Sequence, residues 1–399
     1  MGYIDFNNDQ IFAMYELDNW WKRRNEQVFQ ISGGAGTGKT TCIMGFIDKI
    51  GLSLDRVLFT SYMGKAVCQM IRNGLPAKTI HSTCYTYDKE VARDNDGNMI
   101  FLDNGKPKMV YAQHLKDHLP KKIDLVVADE AFTIPEQNCL DLMSFGIPIV
   151  ALGDRNQLPP PFGKPYFLEN WDVELKQIMR QAEGDPIIYL AQRILDGKPL
   201  REGMYGKSAV IRKKALTEYT LRNADIVLTS TNRLRGAIND LFRESYLGFD
   251  HLEYPHYGEK IICRRNDWSR CLKTKYGEIY LTNGTTGFVD YVERENIREK
   301  SAIIDFKPDF SNRPMRSIKI DLNYLNKPVW DADSGWTPPD TDLFQYGYAL
   351  TAYSAQGSQW DNTCVLQEEN YRMTEKNYRR LLYSSITRAA NSVTWVLPY

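Results

Sequence analysis

The residues best suited to chemistry lie in one short run, FQISGGAGTGKTTCI, Phe29 to Ile43. It fits the spacing G-x-x-x-x-G-K-[ST] through Gly33, Gly34, Ala35, Gly36, Thr37, Gly38, Lys39 and Thr40, with Thr41 following. Glycines let the backbone wrap close to phosphate oxygens, and the N–H groups of a helix N-terminus point at them. Lys39 adds a point charge at the outer phosphates, and the Thr40 hydroxyl is placed to ligate Mg²⁺. A glycine-rich turn that merely precedes a helix would share some of these letters. Strand, loop, lysine, threonine and helix in one register instead point to a nucleoside triphosphate, read here as ATP with Mg²⁺. A second chemical group ends the run IDLVVADEAF in Asp129 and Glu130. One carboxylate there can hold the Mg²⁺ shell and the other can orient or deprotonate an attacking water. Gln157 follows the next apolar run, so it is expected beside Glu130, where a neutral amide can bond the terminal phosphate or the water.

Those groups need strand ends to hold them. Val28–Ile31, RVLFTS (Arg56 to Ser61), IDLVVADE and IPIVALGD read as buried strands, with helical spacing over Thr41–Ile50 and Met63–Gly74. Apolar strands alternating with helices mean a parallel sheet covered on both faces. A second such set starts at ADIVLTS (Ala224 to Ser230) and resumes at GYALTAYSAQG and SVTWVL. The fold class expected is α/β with two P-loop-type domains. The first 25 residues read as a helix with an apolar face of Ile11, Phe12, Met14, Tyr15, Leu17 and Trp21. Two segments interrupt the rhythm. Tyr85 to Val110 carries two turn signals, as a β-hairpin would, and Gly258 to Trp336 has short strands and turns, as a small β-rich insertion would.

Composition removes several classes. At 399 residues the chain is too long for one core, and 43% hydrophobic with 25% charged residues is ordinary for a globular protein. Fifty basic and fifty acidic residues cancel, which leaves a local basic cleft possible. The seven cysteines form no C-x-x-C pair, so reduced thiols are expected rather than disulfides or zinc. The N-terminal segment MGYIDFNNDQ has no signal-peptide pattern and no apolar run approaches the ~18 residues of a membrane span, so a cytoplasmic protein is expected. His114 and His118, four apart, read as one exposed helix face rather than metal ligands, and Trp20 and Trp21 as packing residues.

At LGDRNQLPPPFG the sequence resembles the superfamily 1 helicases, whose strand-end G-D-x-x-Q-L-P-P matches Gly153, Asp154, Gln157, Leu158, Pro159 and Pro160. Further segments keep the family's order: Gln10, ELKQIMRQAEGDPI, ALTAYSAQGSQWDNTCV and LLYSSITRAANSVTWV. The resemblance is strongest to the RecD- and Dda-like group, DNA helicases of 5′-to-3′ polarity. It implies two RecA-like domains, residues 1–84 with 111–172 and 173–257 with 337–399. It also implies a β-hairpin pin over 85–110 and an SH3-like insertion over 258–336. By the same carry-over Gln10 reads adenine, Gly357 lies at the nucleotide, and Arg180 and Arg388 reach the γ-phosphate from the second domain. The host cytoplasm would be the location were the chain phage-encoded, where so compact a helicase would suit the genome.

The implied partner is single-stranded DNA or a single-strand/duplex junction, gripped by Tyr62, Lys65, Thr79, His81, Thr231, Asn232, Thr351 and Tyr353. Hydroxyls, amides and backbone N–H groups at strand ends suit phosphates, and aromatic rings offer stacking. Replication or recombination proteins are possible further partners of a monomeric motor. The family usually has Pro-Thr at Tyr62-Met63 and His-Lys at Tyr353-Ser354, so one threonine contact and one cation near the strand are lost. Two other readings stay open: an ATP-gated binding or loading factor that does not unwind, and an RNA-directed relative, since phosphate gripping alone does not tell the sugars apart.

Overall fold

The computed structural model describes residues 6–94, 96–101, 105, 107, 109–119, 122–160, 163–177, 184–249, 254–274, 277–293, 301–326, 341–369 and 373–398. Its first half is built on a six-stranded sheet in the order Ala77–Thr79, Val57–Ser61, Leu125–Asp129, Ile149–Gly153, Val28–Gly33 and Val173–Leu175. Every neighbouring pair is parallel. Helices Asn8–Arg23, Lys39–Lys49 and Gly64–Arg72 cover one face through Leu17, Ile43, Phe46 and Ile71. Helices Ile80–Cys84 and Glu136–Met143 cover the other through Ile80, Cys139 and Leu142. Both faces are dry, which is why Leu125 to Ala128 is an unbroken apolar run ending in acid only where the strand leaves the core.

The second half repeats the plan. Its sheet runs Ala349–Thr351, Ile226–Thr229, Trp360–Leu366, Ala389–Leu397, Ser208–Arg212 and Gly203–Tyr205, parallel except for the last pair. Pro186–Leu195 and Glu375–Ile386 pack on one face, with Trp395 fully buried beneath them. Two sheets of mainly parallel strands are therefore present, as the alternation of apolar runs implied.

A third sheet, antiparallel at every pairing, orders Met315–Asp321, Ser301–Pro308, Thr286–Glu293, Lys260–Cys263 and Phe344–Tyr346 around Phe306, Ile318 and Phe344. It takes in strand Phe344–Tyr346, beyond the stretch that the turn-rich pattern marked. A buried ion pair, Arg243 Nε to Glu259 Oε1 at 2.7 Å, ties it to the second half. The interrupting hairpin pairs Tyr85–Val91 with Met109–Leu115, and Asp94 Oδ1 accepts from the backbone of Asp96 and Asn98 in its outer turn. Met99, Ile100 and Phe101 are exposed there.

Two expectations fail, the first in part: Met14, Leu17 and Trp21 pack on the core as expected. The first helix, Asn8–Arg23, buries Gln10, Ala13 and Leu17, while Ile11, Phe12 and Tyr15 lie more than half exposed. A capping box sets the rotation: Asn7 Oδ1 accepts from Gln10 N at 2.9 Å, and Gln10 Oε1 accepts from Asn7 N at 3.0 Å. His114 lies on a strand rather than a helix, with Nε2 3.0 Å from Glu90 Oε1 across the hairpin, and His118 follows in a bend. Among the described residues no cluster of three His, Cys, Asp or Glu could hold a metal, and no helix is long and apolar enough to cross a membrane.

Candidate functional site

The strand Val28–Gly33 hands the chain to the helix Lys39–Lys49 through a loop in which Gly36 and Gly38 have φ of 76° and 74°. The left-handed backbone at both positions turns successive N–H groups to one side. Gly33 is required by close approach: a Cβ there would lie 2.6 Å from Thr37 Oγ1 and 3.2 Å from Leu175 Cβ. Lys39 Nζ donates to the carbonyls of Gly33 at 2.7 Å and Gly34 at 3.2 Å, across the mouth of the loop. Ala35, Gly36 and Thr40 are exposed, and Thr41 is half-buried. Gln10 buries its amide against the loop, where Nε2 donates to the carbonyls of Gly38 at 3.2 Å and Thr37 at 3.4 Å. Its side chain thus braces the phosphate loop and caps the first helix together.

Asp129 and Glu130 close the same sheet edge. Glu130 has φ 52°, and its carbonyl accepts from Thr133 N and Oγ1 at 2.9 and 2.7 Å, which holds this unfavourable turn. Asp129 Oδ1 accepts from Glu130 N at 2.9 Å. Burial, with Glu130 beside it, pushes the Asp129 carboxyl up to about 6, against the pull of Lys39. A buried carboxylate raised this way beside a second one has the electrostatics a divalent cation relieves, and the exposed Thr40 hydroxyl is a further oxygen donor. The residues fit Mg²⁺. Gln157 is buried, its Oε1 has no hydrogen-bond partner, and its N–H donates to Asp154 O at 3.1 Å. An orphaned buried acceptor next to a phosphate cradle suits a donor brought by the substrate or water.

The second half meets this edge directly. Leu158 N donates to Ser384 Oγ at 2.9 Å, and Gln356 Nε2 donates to Leu158 O at 2.9 Å. Tyr383, preceding Ser384, donates its hydroxyl to Asp154 Oδ2 at 2.5 Å and accepts from Ala35 N at 3.3 Å. Arg380, one turn earlier, stacks its guanidinium 4.9 Å from the Phe132 ring centre. Sequence reasoning passed over Tyr383, Ser384, Gln356 and Arg380 as contacts, although all lie in or beside quoted segments. Arg388 is buried and donates to the carbonyls of Ser384 and Ser358, both at 3.1 Å. Its guanidinium is held by its own half. Arg180 lies outside the described residues. Gly357, with φ 70°, is packed against the first half: a Cβ there would lie 2.9 Å from Met63 Cβ.

The strand-contact candidates divide by what already holds them. Tyr62, His81 and Tyr85 form an aromatic ladder with centroids 5.2 and 5.9 Å apart, and burial lowers the His81 pKa and raises that of Tyr62. Thr79 caps the helix Ile80–Cys84. Thr351 Oγ1 accepts from Ser354 N at 3.3 Å, and Tyr353 is half-buried. Thr231 is engaged: its N–H and hydroxyl donate to Glu368 at 2.9 and 2.7 Å, and Ser230 N donates to the same carboxylate. An anion, supplied by the chain itself, fills the place where a phosphate was expected, while Asn232 beside it is exposed. The Lys65 ammonium is buried without a hydrogen bond, 5.1 Å from the Trp360 ring centre, and desolvation lowers it to about 7. It faces the junction of the two halves, not open solvent.

Comparison with known proteins agrees with this geometry. Residues 21–163 match the AAA domain family and residues 346–396 the UvrD-like helicase C-terminal domain. The chain is 24% identical to the ATP-dependent RecD2 DNA helicase of Deinococcus radiodurans, over 90% of its own length and 45% of that protein's. It therefore spans under half of that relative. Among solved structures, two coordinating Pif1 helicases on forked duplex DNA align at 15% identity over 98% of this chain and 92% of the other, with a TM-score of 0.58. A Bacteroides Pif1 helicase in complex with ADP-AlF3 and single-stranded DNA aligns over the same shares at 15% identity and a TM-score of 0.54.

Proposed function

We infer that this chain, a member of the superfamily 1 helicases of the RecD/Pif1-like group, is an ATP-driven motor that moves along single-stranded DNA, 5′ to 3′, and separates duplexes. The observation that carries this is the clamp on Leu158. The backbone N–H and carbonyl of one residue, next to Gln157 in the first half, are both bonded by side chains of the second. A change at the terminal phosphate is felt by Gln157 and so by the seating of the two halves.

In this reading Lys39 and the loop from Gly33 to Thr41 bind the triphosphate, and Gln10 supports the loop from below. Thr40 and Asp129 would hold Mg²⁺, which neutralises phosphate charge. Glu130 orients and deprotonates water, and Gln157 reads its presence. Arg388, released from its carbonyls, and Arg180 would supply charge from the second half, where an arginine finger is worth roughly 10³–10⁵ in rate. The division into 1–84 with 111–172, 85–110, 173–257 with 337–399, and 258–336 gives two motor domains, a strand-splitting hairpin and a β-rich insertion, with three edges moved by the sheets: Val173–Leu175 joins the first domain, Met109–Leu115 the hairpin and Phe344–Tyr346 the insertion. The exposed Met99, Ile100 and Phe101 near the hairpin's outer turn favour the splitting role. DNA would run over Tyr62, Thr79, His81, Asn232, Thr351 and Tyr353.

Glu368 on Thr231 and the buried Lys65 favour one alternative, an ATP-gated clamp whose grip is masked in this arrangement. The test is steady-state ATP hydrolysis with and without a DNA oligonucleotide, Lys39→Ala as the blank and RNA of the same sequence alongside. The motor reading expects strong stimulation by DNA and none in the blank. Turnover indifferent to both nucleic acids would contradict it.

A further inference from the structure

Tyr383 lies on the helix Glu375–Ile386 and is 3% exposed, its ring packed in the second-half core with Leu158. Packing alone would ask for a phenylalanine. The hydroxyl instead crosses into the first half and makes two different bonds there. Its proton goes to Asp154 Oδ2 at 2.5 Å, and its oxygen accepts from the N–H of Ala35 at 3.3 Å. Ala35 is inside the phosphate loop. A Cβ on Gly34 would lie 3.3 Å from the same phenolic oxygen, so the loop has little room for a side chain opposite it. Asp154 is equally committed: Oδ1 accepts from Asn156 N at 2.9 Å and its carbonyl accepts from Gln157 N at 3.1 Å. That carboxylate therefore shapes the turn that presents Gln157. One phenol from the far half touches both the loop that cradles phosphate and the residue that sets the water-facing amide.

We propose that Tyr383 is a positioning residue: its hydroxyl locks the phosphate loop and the Gln157 turn together only when the second half is seated, making hydrolysis conditional on closure. The proposal rests on reading the cleft as an ATP-hydrolysing site. It adds that the signal runs through a neutral hydroxyl as well as through arginines. A hydroxyl suits this because it can be donor to Asp154 and acceptor from Ala35 at once, which neither lysine nor arginine can be.

Tyr383→Phe keeps the ring and removes both bonds. Turnover of ATP by the full chain, counted per nucleotide-binding site so that any misfolded fraction drops out, should fall roughly tenfold or more, the loss expected for a hydrogen bond to a charged partner. The KM for ATP should move less than about twofold, because the loss falls on the closed arrangement. Asp154→Asn should give a loss of the same kind, and the double variant should be no worse than the worse single one. Tyr383→Phe with wild-type kcat beside an impaired Asp154→Asn would overturn the proposal, as would losses that multiply in the double variant. A merely structural tyrosine would lower the melting temperature and leave kcat per site unchanged. Wild-type turnover indifferent to DNA would remove the motor reading, while the Tyr383→Phe comparison would still decide this one.

Discussion

Leu158 is fully buried, and the second half satisfies both of its backbone polar groups, through Ser384 Oγ and Gln356 Nε2. Ser384→Ala leaves the Leu158 N–H without a partner in a dry contact, and Gln356→Met does the same to its carbonyl. A buried polar group left unsatisfied costs ~1–3 kcal/mol, and 1.4 kcal/mol is about a tenfold change in an equilibrium. If closure of the halves is what hydrolysis requires, each variant should lower kcat by roughly five- to hundredfold, with smaller effects on the KM for ATP. Ser385→Ala supplies the control. Its hydroxyl donates to Leu381 O at 2.8 Å within its own helix, so its turnover should stay close to wild type. The double variant at 384 and 356 should lose less than the product of the singles, because both act on one residue and water admitted by the first change serves the second. Steady-state kinetics on four purified variants reads all of this. Equal losses for Ser384→Ala and Ser385→Ala would refute the reasoning, because the damage would then come from the helix and not from the contact across the cleft.

Lys65 gives a pH test. Burial lowers its pKa from 10.5 to about 7 in the native chain, so between these values the unfolded state binds more protons and stability rises with pH. Lys65→Met should flatten the rise in melting temperature between pH 7 and 10 and leave the variant more stable at pH 7; an unchanged slope would mean that Lys65 keeps its charge. Deleting residues 95–106 from the exposed turn region of the hairpin should leave DNA-stimulated ATP hydrolysis near normal and impair strand separation; unwinding that survives would show that this hairpin does not split the duplex.

Much of the scaffold was legible because parallel strands buried on both faces leave unbroken apolar runs, and the runs ending at Asp129 and Gly153 stop where the strands leave the sheet. The phosphate loop was legible because its glycines answer a local demand for left-handed backbone and close approach. What was lost depended on partners distant in the chain. The first helix was read half in phase: Met14, Leu17 and Trp21 pack on the core, but Ile11, Phe12 and Tyr15 were counted with them and face outward. A capping box and the loop carbonyls instead fix Gln10 inward. Thr231, read as a strand contact, caps the helix Asn232–Leu241, and nothing local to it reveals that Glu368 occupies its N–H and hydroxyl. Lys65 was read as a cation gripping the strand, but Trp360 and the turn at Gly284, both distant in the chain, lie against it. Tyr383 and Ser384 were in plain view within LLYSSITR. Two small polar residues beside an aromatic read as packing until a second domain is set against that face.

The most direct test of a motor is strand separation itself. A duplex carrying a 5′ single-stranded DNA tail, its 3′-tailed counterpart and a blunt duplex are each incubated with ATP and Mg²⁺, with Lys39→Ala and Glu130→Gln run beside the wild type. A motor of this kind releases the strand from the 5′-tailed substrate only, in the presence of ATP, and neither variant releases any. Release from the 3′ tail alone would reverse the polarity. ATP-dependent binding to the tail without any release would contradict the motor and leave a clamp in its place.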